Sequence, residues 1–337
     1  MEGTPDKTIT LQDVAARAGV STSTASRALA GNPVISEAVR QSVMEAARGM
    51  QYSIPLRKPR SKHVVDLVTV VMPPVGARVF PDPFILELLG GIALAMRERG
   101  RDLALAHVVP NNDDTLNALL KSNSNGAFIV LGQSQYHSAL NRQFRQGRAF
   151  VVWGPEIDGQ LYCSVGGDNF AGAVKLTRHL LRSGRKRIVF LGLAPFEAIT
   201  ERCRGYRWAL EEAGLPIDPR LIRSADIGYD DAFDPVNDLL DGSVPFDAIV
   251  ASTDMIALGA IAALRRRGID VPADVAVVGY DDVALARHAT PALTTVRQDV
   301  VRAGQLLVSK LFRREAGLSA ASERLPTEMV VRDSCGG

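Results

Sequence analysis

The chain has 337 residues, of which 46% are hydrophobic and 23% charged, and its mean hydropathy is +0.05. This composition excludes a disordered chain and a membrane-embedded one, and the length predicts two or three domains. Residues 1–62 contain nine Lys and Arg against five Asp and Glu, whereas the remainder contains thirty against thirty-two. A small basic segment of net charge +4 therefore precedes a large, nearly neutral body.

The three cysteines, Cys163, Cys203 and Cys335, are widely spaced and include no C-x-x-C pair. They predict neither a disulfide framework nor a zinc site, and a reducing cytoplasm suits them. The first ten residues lack the apolar stretch of a secretory signal, and no run reaches the roughly eighteen apolar residues that cross a bilayer. We therefore expect a cytoplasmic protein without membrane association.

Residues 9–52 have the pattern of three short helices. Thr10 is a good N-cap for the first helix, about 11–18, because Asp13 stands at its third position. Gly19 suits the left-handed residue that follows this helix, and the second helix begins only three residues later. Two helices joined by so tight a turn form a helix-turn-helix, whose second helix can lie in the major groove of DNA.

The second predicted helix presents a short polar face formed by Thr22, Ser23, Ser26 and Arg27. Arginine can bind guanine through two hydrogen bonds, and serine and threonine can contact base edges or phosphates. The amide groups at the start of the helix can also hold a phosphate. The alternative is a plain three-helix bundle in which these polar side chains are only solvated.

The residues of this segment favour the DNA-binding interpretation. Residues 9–31, with the core Asp-Val-Ala-x-x-Ala-Gly-Val-Ser-x-x-Thr-x-Ser-Arg at 13–27, resemble the headpiece of the LacI/GalR family of bacterial transcription regulators. The resemblance implies base recognition by Thr22, Ser23 and Arg27. It also implies contacts with the DNA backbone from Thr10, Ser21 and Ser26.

After Tyr52 the sequence departs from the pattern of that family. The usual asparagine and the Ala-Arg-x-Leu stretch are missing from the linker, residues 53–63. Pro59 lacks the N–H that a helix interior needs, so the linker does not predict a regular hinge helix. The linker instead carries four basic side chains: Arg57, Lys58, Arg60 and Lys62. They predict either an extended arm that contacts phosphates or the minor groove, or a solvated flexible tether.

From residue 64 onward, short apolar runs alternate with amphipathic stretches that end near glycine. The apolar runs fall at 64–72, 103–109, 127–131, 150–153, 187–191, 248–251 and 275–279. This alternation is typical of parallel sheets that helices cover on both faces. Because the body is too long for one such sheet, we predict two doubly wound α/β lobes with a ligand cleft at the carboxyl ends of their strands.

No motif of catalysis or nucleotide binding occurs in the body. The sequence lacks G-x-G-x-x-G, G-x-x-x-x-G-K-[ST] and G-x-S-x-G, and its five histidines do not pair at metal-ligand spacing. We therefore expect no enzymatic activity, no metal and no cofactor. A sugar-modifying enzyme would need a catalytic constellation, and the solute-binding protein of a sugar transporter would need a signal peptide and no basic head.

The body resembles the same family across residues 64–335, most clearly at 271–282 and 291–299, and its implied fold is periplasmic-binding-protein-like. The resemblance implies a homodimeric repressor of near-palindromic double-stranded operator DNA. A mono- or oligosaccharide in the cleft would control its operator affinity. The expected domains are a headpiece (1–52), the linker (53–63), lobe 1 (about 64–160 plus 293–324) and lobe 2 (about 161–292 plus 325–335).

Seven residues are candidates for the effector site, either aligned with effector-binding positions of the family or placed at strand ends. They are Phe84, Trp153, Asp168, Arg202, Thr253, Asp281 and Gln298. A polyhydroxyl ligand needs paired donors and acceptors beside an apolar wall, which this set supplies.

Structural alternatives remain for several of these residues. Phe84 and Trp153 can belong to the lobe core, and Arg202 and Asp281 can pair with each other. Asp254 is expected to cap the helix that follows it. The position of Gly154 carries an acidic sugar contact in some family members, so its absence here leaves the particular sugar open.

Overall fold

The structure is a computed structural model of the chain. It describes residues 9–29, 32, 34–50, 52, 67–72, 82–106, 112–122, 126–133 and 136–336. The chain divides into two compact units, Met1–Val64 and Val65–Gly337. The predicted linker at 53–63, with its four basic side chains, lies outside the described residues.

Three helices form the described part of the first unit, as the sequence predicts. They are α1 (Leu11–Arg17), α2 (Thr22–Leu29) and α3 (Glu37–Gly49). Gly19 turns the chain between the first two with a φ of +67°, which glycine adopts at little cost. Small side chains from all three helices form one core: Val14, Ala15, Ala25, Ala28, Val43, Ala46 and Ala47.

The second unit alternates strands with helices along most of its length. Its helices are α4 (Pro83–Glu98), α5 (Asp113–Ser122), α6 (His137–Arg145), α7 (Asn169–Arg182), α8 (Glu197–Glu212), α9 (Phe233–Asp241), α10 (Asp254–Arg266), α11 (Ala284–His288) and α12 (Val300–Glu315). Its strands are β1 (Leu67–Val71), β2 (Asp102–Leu105), β3 (Ala127–Leu131), β4 (Phe150–Trp153), β5 (Ser164–Gly167), β6 (Ile188–Leu193), β7 (Ile222–Ser224), β8 (Ala248–Ala251), β9 (Ala276–Val278), β10 (Thr295–Arg297), β11 (Glu323–Leu325) and β12 (Glu328–Val330).

The first lobe is built on a parallel sheet with the strand order β11-β5-β4-β3-β1-β2. Strand β3, Ala-Phe-Ile-Val-Leu, is buried along its whole length because it is apolar on both faces. Helices α4 and α12 cover one face of the sheet, and α5 and α6 cover the other. Each face thus has its own apolar core.

The second lobe repeats this arrangement with a parallel sheet of order β7-β6-β8-β9. Helices α7 and α8 pack on one face, and α9 and α10 pack on the other. Strands β10 and β12 form a short antiparallel pair beside this lobe, and their Val296 and Met329 join its core. The predicted fold of two doubly wound α/β lobes is confirmed.

The chain crosses between the lobes after β5, after β10 and after β11. Strand β5 lies in the sheet of the first lobe, so the first crossing follows Gly167, whereas the sequence places it near residue 160. The second follows Arg297, whereas the sequence places it near 293, because β10 pairs within the second lobe. These three connections bring the carboxyl ends of both sheets to one cleft.

Across the described ranges, no helix combines the length and apolar character needed to cross a membrane. The same ranges contain no group of three or more His, Cys, Asp or Glu side chains arranged to hold a metal ion.

Candidate DNA-binding helix and effector cleft

Helix α2 presents the predicted polar face to solvent. Thr22, Ser23, Ser26 and Arg27 are all exposed on it, while the opposite face packs in the three-helix core. The exposed Arg27 guanidinium forms no ion pair with another described residue of the headpiece. This arrangement matches the face that a recognition helix presents to base edges.

Thr10 and Ser21 both act as helix caps. The Thr10 hydroxyl donates to the Asp13 carboxylate at 2.7 Å, and the Thr10 N–H donates to the same oxygen at 2.8 Å. The Ser21 hydroxyl oxygen accepts the N–H of Thr24 at 3.1 Å. Their proposed contacts with the DNA backbone must therefore coexist with capping. The basic candidates Arg57, Lys58 and Arg60 lie outside the described residues.

A cavity of about 130 Å³ lies where the carboxyl ends of the two sheets face each other. Both lobes line it, with side chains from the start of α4, from the ends of β3, β4, β8 and β9, and from α8. Five of the seven predicted residues are brought together here: Phe84, Trp153, Arg202, Thr253 and Asp281. Asp168 and Gln298 do not line the cavity.

Phe84 and Trp153 form an aromatic wall on the first-lobe side. Their ring centroids lie 5.9 Å apart with the rings tilted by 41°. Both rings also pack against the core of the first lobe. The structure is therefore compatible with both a core role and a ligand-binding role for these aromatics, because each ring packs against the core and also borders the cavity.

Arg202 and Asp281 pair with each other at the second-lobe side, with 3.4 Å between Nη2 and Oδ1. The Arg202 Nε donates to Asn169 Oδ1 at 2.9 Å, and Nη1 donates to the Ser252 carbonyl at 2.5 Å. The guanidinium also lies over the Tyr280 ring, 3.7 Å from its centroid. These partners fix the guanidinium in one orientation at the border of the cavity.

Burial raises the pKa of Asp281 well above its ordinary value, although the Arg202 charge opposes the shift. The neighbouring carboxylates Asp82 and Asp254 raise it further by repulsion. Gln298 donates its amide Nε2 to Asp281 Oδ1 at 2.8 Å, which stabilises the charged form. Gln298 thus acts on the cavity through Asp281.

Asp168 caps helix α7 by accepting the N–H of Ala171 at 3.1 Å. Its main-chain carbonyl accepts the hydroxyls of Tyr280 at 3.3 Å and Thr327 at 3.4 Å. Asp168 therefore lies at the first crossing between the lobes, and its carbonyl joins that crossing to Tyr280 of the second lobe and to Thr327 at the third crossing.

Thr253, not Asp254, is the N-cap of α10. The Thr253 hydroxyl oxygen accepts the N–H of Ile256 at 3.2 Å. The Asp254 carboxylate instead accepts the Thr295 hydroxyl at 2.5 Å and the Val283 N–H at 2.9 Å. The sequence expectation for Asp254 was wrong because its side chain points into the protein and ties α10 to two later segments.

Sequence reasoning missed two polar residues of the first lobe that line the cavity. Asp82 precedes α4, and Gln133 follows β3. The Gln133 amide lies against Gly154, where a Cβ would meet its Oε1 at 1.7 Å. The position of Gln133 after a predicted strand was a usable signal, since ligands bind at the carboxyl ends of parallel strands.

Comparison with known proteins gives two family matches. Residues 10–54 match the bacterial regulatory proteins of the lacI family, and residues 177–335 match a periplasmic binding protein-like domain. The chain is 32% identical over 333 residues to the HTH-type transcriptional regulator CelR of Thermobifida fusca, covering 96% of this chain and 98% of CelR. It is 27% identical over 334 residues to the HTH-type transcriptional repressor CytR of Escherichia coli (strain K12), covering 96% of each chain.

Solved structures show the same likeness. The CelR–cellobiose complex superposes with a TM-score of 0.71 at 31% identity, over 97% of this chain and 99% of that chain. The Lac repressor dimer bound to operator and the anti-inducer ONPF shares the fold, with a TM-score of 0.71 at 23% identity over 98% of this chain and 99% of that one. On the strength of the CelR match over nearly its whole length, this chain belongs to the LacI family of bacterial transcriptional regulators.

Proposed function

We propose that the chain is a repressor that binds a near-palindromic operator as a homodimer, and that a saccharide in the cleft controls its operator affinity. The observation that carries the proposal is the cavity between the lobes, which combines an aromatic wall with a buried Arg202–Asp281 pair. Sugar rings offer apolar faces and hydroxyl edges that suit these two surfaces. The CelR structure carries cellobiose, and CytR is named a repressor.

In this proposal residues 1–52 are the DNA-binding headpiece, 53–63 the linker, and 64–335 the effector-binding and dimerisation domain. Thr22, Ser23 and Arg27 contact bases, while the caps Thr10 and Ser21, with Ser26, contact the DNA backbone. Arg57, Lys58 and Arg60 add phosphate contacts. The exposure of the α2 face and the net charge of +4 on residues 1–62 support this assignment.

An effector can change operator affinity only if it binds two arrangements of the lobes unequally. Polar contacts already join the lobes: the Ala284 N–H donates to Glu87 at 3.2 Å, and Arg324 lies 4.0 Å from Glu201. A ligand that contacts the first lobe at Phe84 or Trp153 and the second lobe at Arg202, Thr253 or Asp281 would favour one arrangement of the lobes. The two polar contacts between the lobes would change with that arrangement. Gln298 acts through its hydrogen bond to Asp281. Asp168 acts through the hydrogen bonds that its carbonyl accepts at the first crossing between the lobes.

Exposed leucines on the body support the homodimer. Helix α4 leaves Leu86 51% and Leu94 37% exposed on the side away from its buried face, and α11 leaves Leu285 49% exposed. In the proposed homodimer, a two-fold interface that includes α4 would bury Leu86 and Leu94 of both copies. A dimer would present two α2 helices to the two half-sites of an operator.

A DNA-bound regulator acts in the bacterial cytoplasm, which is where we propose the chain resides. We propose no catalytic activity for it, because CelR and CytR are both named as transcriptional regulators. A sugar transporter's solute-binding protein is disfavoured by the lacI-type match at residues 10–54.

The test begins with selection of bound sequences from randomised duplex DNA by the full-length protein. Fluorescence anisotropy then measures operator affinity with and without a panel of mono- and disaccharides. We expect a near-palindromic consensus and a change of at least about tenfold in operator Kd with one saccharide. A protein without sequence preference, or one whose operator Kd no saccharide changes, would contradict the proposal.

A further inference from the structure

The first lobe has a basic surface at the edge of its sheet where the strands begin. We call this surface the amino edge and define it by the four connections that lead from α4, α5, α6 and α12 into β2, β3, β4 and β11: residues 97–102, 121–126, 145–149 and 313–323. These strands belong to one parallel sheet, so the four connections meet at the same edge. They contain eight Lys and Arg against four Asp and Glu, a net charge of +4.

Three cations of the amino edge are exposed and have no acidic partner among the described residues. They are Arg97 in the last turn of α4, Lys121 in the last turn of α5 and Arg145 at the end of α6. Arg313 is exposed as well, and its Nε donates to the Ser319 carbonyl at 3.1 Å. These side chains present positive charge to solvent.

Two of the four acidic side chains of the amino edge are already paired. Glu315 pairs with Arg101, and Glu323 lies 2.9 Å from the Lys310 Nζ. Lys310 lies outside the four connections, so it neutralises an acid of the edge without using one of the eight cations. The positive charge available to a partner is therefore not reduced by these two carboxylates as far as the count of residues suggests.

Aromatic rings hold several of the arginines in place. Arg99 and Arg101 both lie over the Phe312 ring, with their Cζ atoms 5.1 and 4.9 Å from its centroid. Arg314 of α12 lies over the Phe144 ring of α6 at 4.6 Å. Helices α12 and α6 cover opposite faces of the sheet, so Arg314 reaches across the edge between them. A guanidinium stacked on a ring is oriented in advance, which lowers the entropy cost of binding an anion.

A structural role explains only part of this charge. Cations at the C-terminal end of a helix interact favourably with the helix dipole, which accounts for Arg97, Lys121 and Arg145. The effect is confined to the last turn, whereas Arg101 and Arg148 lie beyond the helix ends. The concentration of arginine across four separate connections is what a surface that binds phosphates requires.

The position of the amino edge in the chain indicates which phosphates these are. Strand β1 begins at Leu67 in the same parallel sheet, so the chain enters the body at this edge. The residues that precede it in sequence are the basic linker and the lacI-type segment at 10–54. A duplex bound by that segment is thus tethered to the amino edge. An acidic protein partner has no such connection to it, so the observations favour DNA.

We infer that the amino edge of the first lobe is a second DNA-binding surface, which contacts phosphates of the operator duplex in addition to those that the headpiece contacts. The inference rests on the proposed function, since it needs an operator on which to act. It goes beyond that function because it places DNA contacts on the body, outside both the headpiece and the linker.

The first experiment compares two full-length variants that lose the same number of charges. The edge variant carries Arg97→Gln, Lys121→Gln and Arg145→Gln, and glutamine retains a high helix propensity. The control variant carries Arg182→Gln, Lys186→Gln and Arg187→Gln, which are exposed between α7 and β6 of the second lobe. Thermal unfolding verifies that both are folded. Fluorescence anisotropy then measures Kd for the selected operator and for unrelated duplex DNA from about 50 to 200 mM salt.

We expect the edge variant to have a less steep dependence of log Kd on log salt concentration, by at least about 1 per protomer, since each lost phosphate contact removes about 0.9. Its affinities for operator and for unrelated DNA should fall by the same factor, because phosphate contacts carry no sequence information. The control variant should keep the slope of the wild type.

A second measurement tests proximity to the DNA directly. The three native cysteines are buried, so a thiol-reactive iron chelate labels an added surface cysteine selectively. The labelled Arg145→Cys protein should cut the backbone of the bound operator duplex when ascorbate and peroxide are added. The labelled Lys186→Cys protein, with its label on the second lobe, should leave the duplex intact.

The outcomes separate the inference from the function on which it rests. If the wild type shows no sequence preference in DNA binding, the proposed function fails. If the wild type binds its operator but the edge variant keeps the wild-type salt slope, or the labelled Arg145→Cys protein cuts no more than the Lys186→Cys protein does, the inference is overturned. The cations of the amino edge would then serve the helix ends or an acidic protein partner.

Discussion

Asp254 carries the most completely enclosed carboxylate of the second lobe. Burial raises its pKa to about 7, although the Thr295 hydroxyl and the Val283 N–H stabilise the charged form. The folded protein therefore binds a proton at Asp254 between about pH 4 and 7 that the unfolded chain releases. The contribution of Asp254 to the free energy of unfolding is therefore fully present below about pH 4, and it is lost as the pH rises to about 7.

Asp254→Asn is expected to remove this pH dependence. The amide can still accept the Val283 N–H, and it can donate to the Thr295 hydroxyl. Between pH 5 and 7 the free energy of unfolding of the wild type should fall relative to the variant by up to about 1.4 kcal/mol per pH unit. Urea unfolding at pH 5, 6, 7 and 8 measures the difference, with the exposed Asp299→Asn as control. Parallel pH profiles for wild type and Asp254→Asn would refute the assignment.

At the scale of elements, helices α4 and α12 approach each other through glycine. A Cβ at Gly304 would lie 2.3 Å from the carbonyl carbon of Gly91, and a Cβ at Gly91 would lie 2.5 Å from the Val300 oxygen. These contacts are with backbone atoms, which cannot move aside as a flexible side chain can. The two glycines therefore set the separation of the helices that cover one face of the first sheet.

Gly304→Ala is expected to destabilise the protein by about 1–3 kcal/mol, because the added methyl group forces the two helices apart. Gly90→Ala is the matched control within α4, since a Cβ there meets nothing within 4 Å. Helix propensity predicts that this control gains up to about 1 kcal/mol. Urea unfolding of both variants tests the difference, and a Gly304→Ala protein as stable as the wild type would show that the contact is not tight.

Sequence patterns predicted the elements of this fold that have strong periodicity and missed those that lack it. The buried strands β3 and β8 are continuous apolar runs, so their positions were predictable. Strand β5, Ser-Val-Gly-Gly, is four residues long and half glycine, so nothing in its sequence marks it as a strand. It forms because β4 and β11 pair with it on both sides, and such pairing is a property of the tertiary structure.

The same distinction applies to the candidate site. Phe84, Arg202 and Asp281 were identifiable from their resemblance to family positions, and all three line the cavity. Gln133 follows a predicted strand, which was a usable signal, but the space above Gly154 that admits its side chain is created only by the folded backbone. Gln298 was assigned to the ligand but contacts Asp281, since sequence alone does not distinguish a lining side chain from the one that supports it.

At the scale of the whole molecule, the proposed regulator couples two binding events that different substitutions should separate. Asp281→Asn replaces the carboxylate at the cavity by an uncharged amide of nearly the same size and shape. Arg27→Ala removes the exposed guanidinium of α2. One substitution alters the cleft and the other alters the headpiece, so each serves as the control for the other.

Asp281→Asn is expected to keep its operator affinity within about twofold and to weaken saccharide binding by at least about tenfold. Arg27→Ala should lose about 1–3 kcal/mol of discrimination between operator and unrelated DNA while keeping the full thermal shift with saccharide. In the wild type, the factor by which saccharide changes operator Kd must equal the factor by which operator changes saccharide Kd. Anisotropy and calorimetry measure both factors. An Asp281→Asn protein that still responds at the wild-type saccharide concentration, or an Arg27→Ala protein with undiminished sequence preference, would reject the corresponding site.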